Sequence, residues 1–178
     1  DALPVWDLSD LYSLDAQKRE NDLNNVTQQV DQLAEYKGKL AQQSADVIAE
    51  VIEHYQHISE TLSRIMSHAD LAFAADMANA ENATRAQNIR EKLSDLSSKL
   101  LFIELELAEM DEQVYQQALK DPQFYSFEPW LRRLRLTAPY QLEPRLEQML
   151  VERAPAGRGA WVRLFDETVT ALEFDFQG

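Results

Sequence analysis

The chain has 178 residues, with 17 Lys and Arg against 31 Asp and Glu, for a net charge of -14. A hydrophobic share of 45% is too high for a disordered chain and enough for one folded domain, with or without a small appendage. The absence of Cys excludes disulfides, a thiol nucleophile and Cys-based metal sites, while only four Gly and six Pro disfavour sandwiches and barrels with their many tight turns.

The first three predicted elements are long helices. Leu23, Val26, Val30, Leu33 and Leu40 recur at steps of three and four, broken only at Lys37, and predict a helix from about Asp15 to Tyr36. Ile48, Val51, Tyr55, Ile58, Leu62, Ile65, Ala69 and Ala72 continue the pattern from Ser44 to Ala78. Ile89, Leu93, Leu96, Leu100, Ile103, Leu107 and Met110 repeat it from Asn82 to Met110. This average step of 3.5 residues is a seam that packs on neighbouring helices at a shallow angle. Gly38 is placed to close the first helix, Ser44 to cap the second, and Asn82 or Thr84 to cap the third. Such short links force an antiparallel, up-down-up three-helix bundle. The alternative is an intermolecular coiled coil, but three seams joined by short loops satisfy one another within one chain.

Shorter helices follow, from Glu112 to Leu119, Phe127 to Leu136, Glu143 to Val151 and Arg158 to Leu172, punctuated by Pro122, Pro139, Pro144 and Pro155. The last residues, Val169 to Phe176, alternate: Leu172, Phe174 and Phe176 are apolar, Glu173 and Asp175 polar, which is a strand period. The expected fold is therefore all-α, with residues 1–120 as the long bundle and 121–178 as a short-helix subdomain that ends in a possible β-strand fragment.

Charge is divided along the chain. The first 120 residues carry 22 acids and 10 bases, and the remainder 9 acids and 7 bases. All seven later cations are arginines: Arg132, Arg133, Arg135, Arg145, Arg153, Arg158 and Arg163. No face is basic enough to displace counterions from a nucleic acid. No apolar run reaches the length of a membrane span and the start lacks a signal-peptide pattern, so a cytoplasmic location is expected.

The residues supply no recognisable active site. A di-iron bundle needs Glu-x-x-His pairs, but none of the three histidines (His54, His57, His68) lies three residues after a Glu. A zinc-peptidase His-Glu-x-x-His helix is absent as well. His54, His57 and Glu60 stand one turn apart and could form a surface metal clip, although the plainer reading is a solvated edge. Glu104, Glu106, Glu109, Asp111 and Glu112 offer paired carboxylates, most simply a solvated face in so acidic a chain. Gly157-Arg158-Gly159 is too short for a phosphate loop, and no nucleophile elbow occurs. Asn25 with Thr27, and Asn82 with Thr84, match glycosylation sequons that have no meaning without secretion. No catalytic, cofactor-binding or metal-ligating residue is therefore assigned.

Several segments, in order, resemble the oligoendopeptidase F family of zinc metallopeptidases. Leu3-Pro4-Val5-Trp6-Asp7-Leu8-Ser9-Asp10-Leu11-Tyr12 resembles the family's amino-terminal signature, and Tyr36 to Leu40 the close of its first helix. Leu62 to Ile65, then Ala69 to Leu71, Asp76 and Asn79 resemble its second helix, and Phe102 to Leu107 its third. Trp130 to Arg135, Pro139-Tyr140-Gln141-Leu142 and Glu147 resemble a later family segment, in which Tyr140 stands where many members carry His. Ala160 to Asp166 resembles the helix that precedes the family's interdomain hairpin.

The resemblance implies an N-terminal, non-catalytic helical lobe of a zinc metallo-oligoendopeptidase, forming part of the wall of a channel that admits short peptides. The zinc and its His-Glu-x-x-His ligands would belong to a C-terminal catalytic lobe of the same protein, which becomes the expected partner. The arginine-only last third would dock against acidic groups there, since Arg holds carboxylates bidentately. The competing reading is a free-standing acidic helical adaptor for a basic or helical partner.

Overall fold

A computed structural model describes residues 6–12 and 16–173, and the fold is all-α, with no strand among the described residues. Three long helices, α1 (Ala16–Leu33), α2 (Ala45–Ala75) and α3 (Ala80–Ala108), pack against one another as an up-down-up bundle. The 31 residues of α2 and 29 of α3 extend about 46 and 44 Å at 1.5 Å per residue. The seams face inward: Val26 and Val30 of α1, Ile58 and Ile65 of α2, and Leu96 and Ile103 of α3 are almost without solvent contact.

Local chemistry sets the breaks. The chain leaves α1 through a 3-10 turn (Ala34–Tyr36), and Gly38 then takes φ +81, the left-handed region that suits glycine. Leu40 is thus not on the seam of the first helix as its spacing suggests. It sits in a separate 3-10 turn (Leu40–Gln42), which returns its side chain to the core at 0% exposure. Ser44 caps α2, its hydroxyl accepting from the Val47 amide at 3.5 Å. The cap of α3 is Asn79 rather than Asn82 or Thr84, for its Oδ1 accepts from the amides of Glu81 and Asn82 at 3.0 and 3.3 Å. Asn82 instead donates to the Ala72 carbonyl at 3.2 Å, tying the start of α3 to α2.

The shorter helices are α4 (Glu112–Ala118), α5 (Glu128–Thr137), α6 (Pro144–Arg153) and α7 (Arg158–Thr170). Asp111 caps α4, and Asp121 caps a 3-10 turn (Pro122–Phe124) that drives Phe124 to 1% exposure. Helix α5 lies on α3 and buries Leu131 and Leu134. Helix α6 also lies on α3, where Ser94 donates to the Val151 carbonyl at 3.0 Å and Ser98 to Glu152 Oε1 at 2.9 Å. The alternating terminal segment is not a strand as far as it is described: Val169 and Thr170 end α7, and Leu172 and Glu173 are irregular. Phe174, Asp175 and Phe176 lie outside the described residues.

Leu100 is 3% exposed in the middle of the α3 seam. Leu100→Ala is expected to cost about 2–5 kcal/mol through lost burial and a residual cavity. Urea unfolding followed by circular dichroism measures it, and a loss below about 1 kcal/mol would place Leu100 outside the packed seam.

Candidate functional site

The residues that the sequence offers for chemistry do not converge. Among the described residues no three His, Asp or Glu side chains are grouped to hold a metal ion. His54 and His57 are exposed on α2, and Gln56, not either histidine, bonds Glu60 at 2.8 Å. These side chains therefore assemble no zinc donor set among the described residues.

Four of the five carboxylates read as a solvated face are structural: Asp111, which caps α4, and Glu104, Glu106 and Glu112. Glu106 accepts from the amides of Gly38 and Leu40 at 2.6 and 2.9 Å, closing the α1–α2 link with one carboxylate of α3. Glu104 accepts from the Tyr55 hydroxyl at 2.8 Å, and the Tyr55 ring stacks on Trp130 of α5 with centroids 5.7 Å apart. Burial, then the neighbouring Glu104, pushes the Tyr55 phenol well above its ordinary value. Glu112 belongs to a third join. Arg135 donates to the carbonyls of Ala108, at 3.0 Å, and Met110, which end α3, and to Glu112 Oε2 at 2.7 Å. Gln116, then Arg135, hold the Glu112 carboxyl below its usual range.

A second polar cluster lies at the end of the bundle where α1 begins, α2 ends and α3 begins. Tyr12 is 3% exposed, donates its hydroxyl to Asp22 at 2.9 Å, and turns its ring edge-on to His68, with centroids 5.7 Å apart. The Arg64 guanidinium covers the same ring at 5.8 Å. Burial and the Asp22 contact push the Tyr12 phenol up to about 12. Arg19 approaches His68 Nδ1 at 3.4 Å. Burial, then the cations Arg19 and Arg85, lower the His68 pKa and so favour the neutral ring that accepts from Arg19.

The face that stands out lies on α6 and α7. Neither helix contributes a buried residue. Both expose large apolar side chains: Leu146, Met149 and Leu150 on α6, and Leu164, Trp161 at 73% and Phe165 at 66% on α7. A single exposed leucine is ordinary, but so many on two consecutive helices make an apolar surface that calls for an explanation. A groove of 580 Å³ opens beneath α7, walled by Phe73 of α2, Leu93 of α3, Val151 of α6 and Val162 of α7. The Thr170 hydroxyl of α7 meets the Met77 sulfur, just after α2, at 3.7 Å. Gly157 and Gly159 make the α6–α7 turn rather than a phosphate cradle. A Cβ on either would lie 3.2 Å from the Arg153 carbonyl oxygen or 3.1 Å from that of Ala154.

Six of the seven late arginines divide by role. Arg135 closes α3, Arg132 pairs with Glu128 at 2.8 Å, and Arg163 reaches Glu167 at 3.7 Å. Arg145, Arg153 and Arg158 form no ion pair among the described residues, and all three belong to the exposed α6–α7 region. Tyr140, at 85% exposure, lies beside that region in a 3-10 turn (Ala138–Tyr140). Sequence reasoning missed this face. The available signal was the apolar run Trp161, Val162, Leu164 and Phe165, which covers more of a helix than one core contact can use.

Residues 106–174 match a family model described as Oligopeptidase F. The matched segment runs from the last turn of α3 through α7 and contains the exposed face. It agrees with the resemblance read from the sequence and supports an N-terminal lobe of an oligoendopeptidase-type protein. The earlier similar segments, from Leu3 to Asn79, lie outside it, and Phe102 to Leu107 only meets its edge. No curated protein and no solved structure matches the chain.

Two measurements check the polar joins. Glu106→Ala leaves the Gly38 and Leu40 amides without their acceptor, so stability should fall by about 1–3 kcal/mol. Exchange of those two amides should accelerate, and Glu106→Gln, which keeps one acceptor oxygen, should fall between. The phenols of Tyr12 and Tyr55 are both raised in the native state, Tyr12 from 10.0 to about 12. The unfolded chain therefore loses those protons first, so their contribution is complete below pH 10 and declines as pH rises toward and beyond 12. Denaturant midpoints across that range should fall, and Tyr12→Phe should flatten the slope.

Proposed function

We propose that this chain is the helical N-terminal lobe of a zinc-dependent oligoendopeptidase, non-catalytic by itself, whose α6–α7 face packs against a C-terminal catalytic lobe. The observation that carries this reading is the coincidence of two independent features. The segment similar to the Oligopeptidase F model includes the two helices that bury nothing and expose Trp161, Phe165 and their neighbours. Arg145, Arg153 and Arg158, uncommitted within the chain, would meet carboxylates on the covering lobe bidentately.

In this reading residues 1–120 form the bundle, and residues 121–178 the subdomain that meets the catalytic lobe. The chain contributes no zinc ligand, and zinc, held by the other lobe, supplies the activated water of peptide hydrolysis when bound. The work of this chain is steric: a rigid bundle walls one side of a channel, admits short peptides and excludes folded proteins and bulk water. Among the described residues no helix is long and apolar enough to cross a membrane. The proposal places the protein in the cytoplasm.

The test compares this chain with a version extended into a catalytic lobe. Alone, it should retain no stoichiometric zinc after dialysis and show no chelator-sensitive hydrolysis of a quenched fluorescent peptide. In the extended protein the amides of α6 and α7 should gain exchange protection, and Leu146→Asp with Phe165→Asp should remove that protection and lower activity. Zinc and hydrolysis in the isolated chain would overturn the reading. So would α6 and α7 remaining unprotected in the extended protein, and capture of a helical partner by this chain alone would then favour an adaptor.

A further inference from the structure

The Tyr12–His68 end of the bundle holds a feature that the proposed lobe function does not use. A cavity of 560 Å³ opens there between the three long helices, lined by Arg19 and Leu23 of α1, Ile65 of α2, and Thr84, Arg85 and Ile89 of α3. That volume lies within the range of small-molecule sites, roughly 300–1,000 Å³, and far exceeds a lone inorganic ion. Its floor is aliphatic, since Ile65 is 0% and Ile89 8% exposed. Its upper wall carries two guanidinium groups.

Among the described residues neither guanidinium has a carboxylate partner within 4.0 Å, although the first 120 residues carry 22 acids against 10 bases. Arg19 meets the neutral ring nitrogen of His68 at 3.4 Å, and Arg85 the amide oxygen of Asn82 at 3.3 Å. Burial lowers the Arg19 pKa and the nearby Arg85 lowers it further, while the exposed Glu20 offsets part of that repulsion without reversing it. Glu20 and Glu81 also line it, but both are exposed and neither forms an ion pair among the described residues. The amino-terminal turn of α3 lines the same wall and adds the positive end of its dipole. An anion placed between the guanidinium groups would turn their repulsion into two charge-assisted contacts, and the floor would take an apolar body.

We propose that this cavity binds an amphipathic carboxylate, its carboxylate bridging Arg19 and Arg85 and its aliphatic body resting on Leu23, Ile65 and Ile89. A fatty acid and the free C-terminus of a peptide ending in an aliphatic residue share this chemistry. The site lies on the bundle rather than on the α6–α7 face, so it stands or falls independently of the lobe assignment.

The test uses this chain at low ionic strength, where screening is weakest. Hexanoate and N-acetyl-alanyl-leucine are titrated against their carboxamides and against sulfate, with the His68 ring followed by NMR. One or both carboxylates should bind saturably, and which one does identifies the source. The bound anion should also raise the His68 pKa against the pull of Arg19 and Arg85, with Arg64, Glu20, Glu81 and Asp22 present in every titration. Arg19→Gln and Arg85→Gln should each weaken binding by about tenfold or more, the effect of losing one charge-assisted contact. Arg85→Lys should weaken it less, and Arg145→Gln on the opposite face not at all. Equal binding by the carboxamides or by sulfate would overturn the proposal. Absence of saturation, or affinity unchanged in both glutamine variants while their circular dichroism stays native, would do the same.

Discussion

Helix α3 is apolar along two opposite stripes, and the arrangement of the other helices follows from that. Leu96, Leu100, Ile103 and Leu107 form one stripe, which seals the bundle against α1 and α2. Phe102, Leu105 and Ala108 are buried as well, on the far side, where α5 and α6 pack. A helix that must bury both sides cannot end a bundle; it becomes the shared wall between two layers. The short helices are therefore not an appendage strung after the bundle. They cover a surface that α3 would otherwise expose.

Because α3 is shared, its polar residues become the points where distant segments are fastened. Glu106 holds the α1–α2 link, Glu104 holds Tyr55 against Trp130, and Ser98 holds α6 through Glu152. At its end Arg135 collects the carbonyl of Ala108, which the last turn of a helix leaves without an intrahelical partner, and that of Met110 just beyond it. Among the described residues no buried side-chain polar atom is left without a hydrogen bond, so these joins add orientation without an uncompensated desolvation cost.

Periodicity made the helices legible. The seams of α2 and α3 are regular because one buried stripe repeats every three or four residues, and Pro144 at the first position of α6 marks its start. What escaped the sequence depends on distance along the chain. Glu106 looks solvated among neighbouring acids until Gly38, 68 residues away, is brought to it. Leu40 continues the α1 spacing by coincidence, since Gly38 breaks the helix and a new turn returns the side chain to the core. Asn79 and Asn82 are equally good caps as letters, and only the backbone path selects between them. The Arg19–Arg85 pair spans two helices and has no local signature, whereas the α6–α7 face could have been read from Trp161 to Phe165, where apolar residues outnumber the positions one core face can bury.

The exposed α6–α7 face also sets the colloidal behaviour of the chain. At a net charge of -14 mutual repulsion keeps copies apart even though each presents a broad apolar surface. That protection is purely electrostatic and resides mainly in the first 120 residues, with 22 acids against 10 bases, rather than in the nearly balanced remainder that carries the sticky helices. The molecule is thus built like an amphiphile, a charged shaft bearing an oily head. Salt or mild acid weakens the shaft's repulsion and leaves the head unchanged, so solubility is lost while every helix of the bundle is still folded.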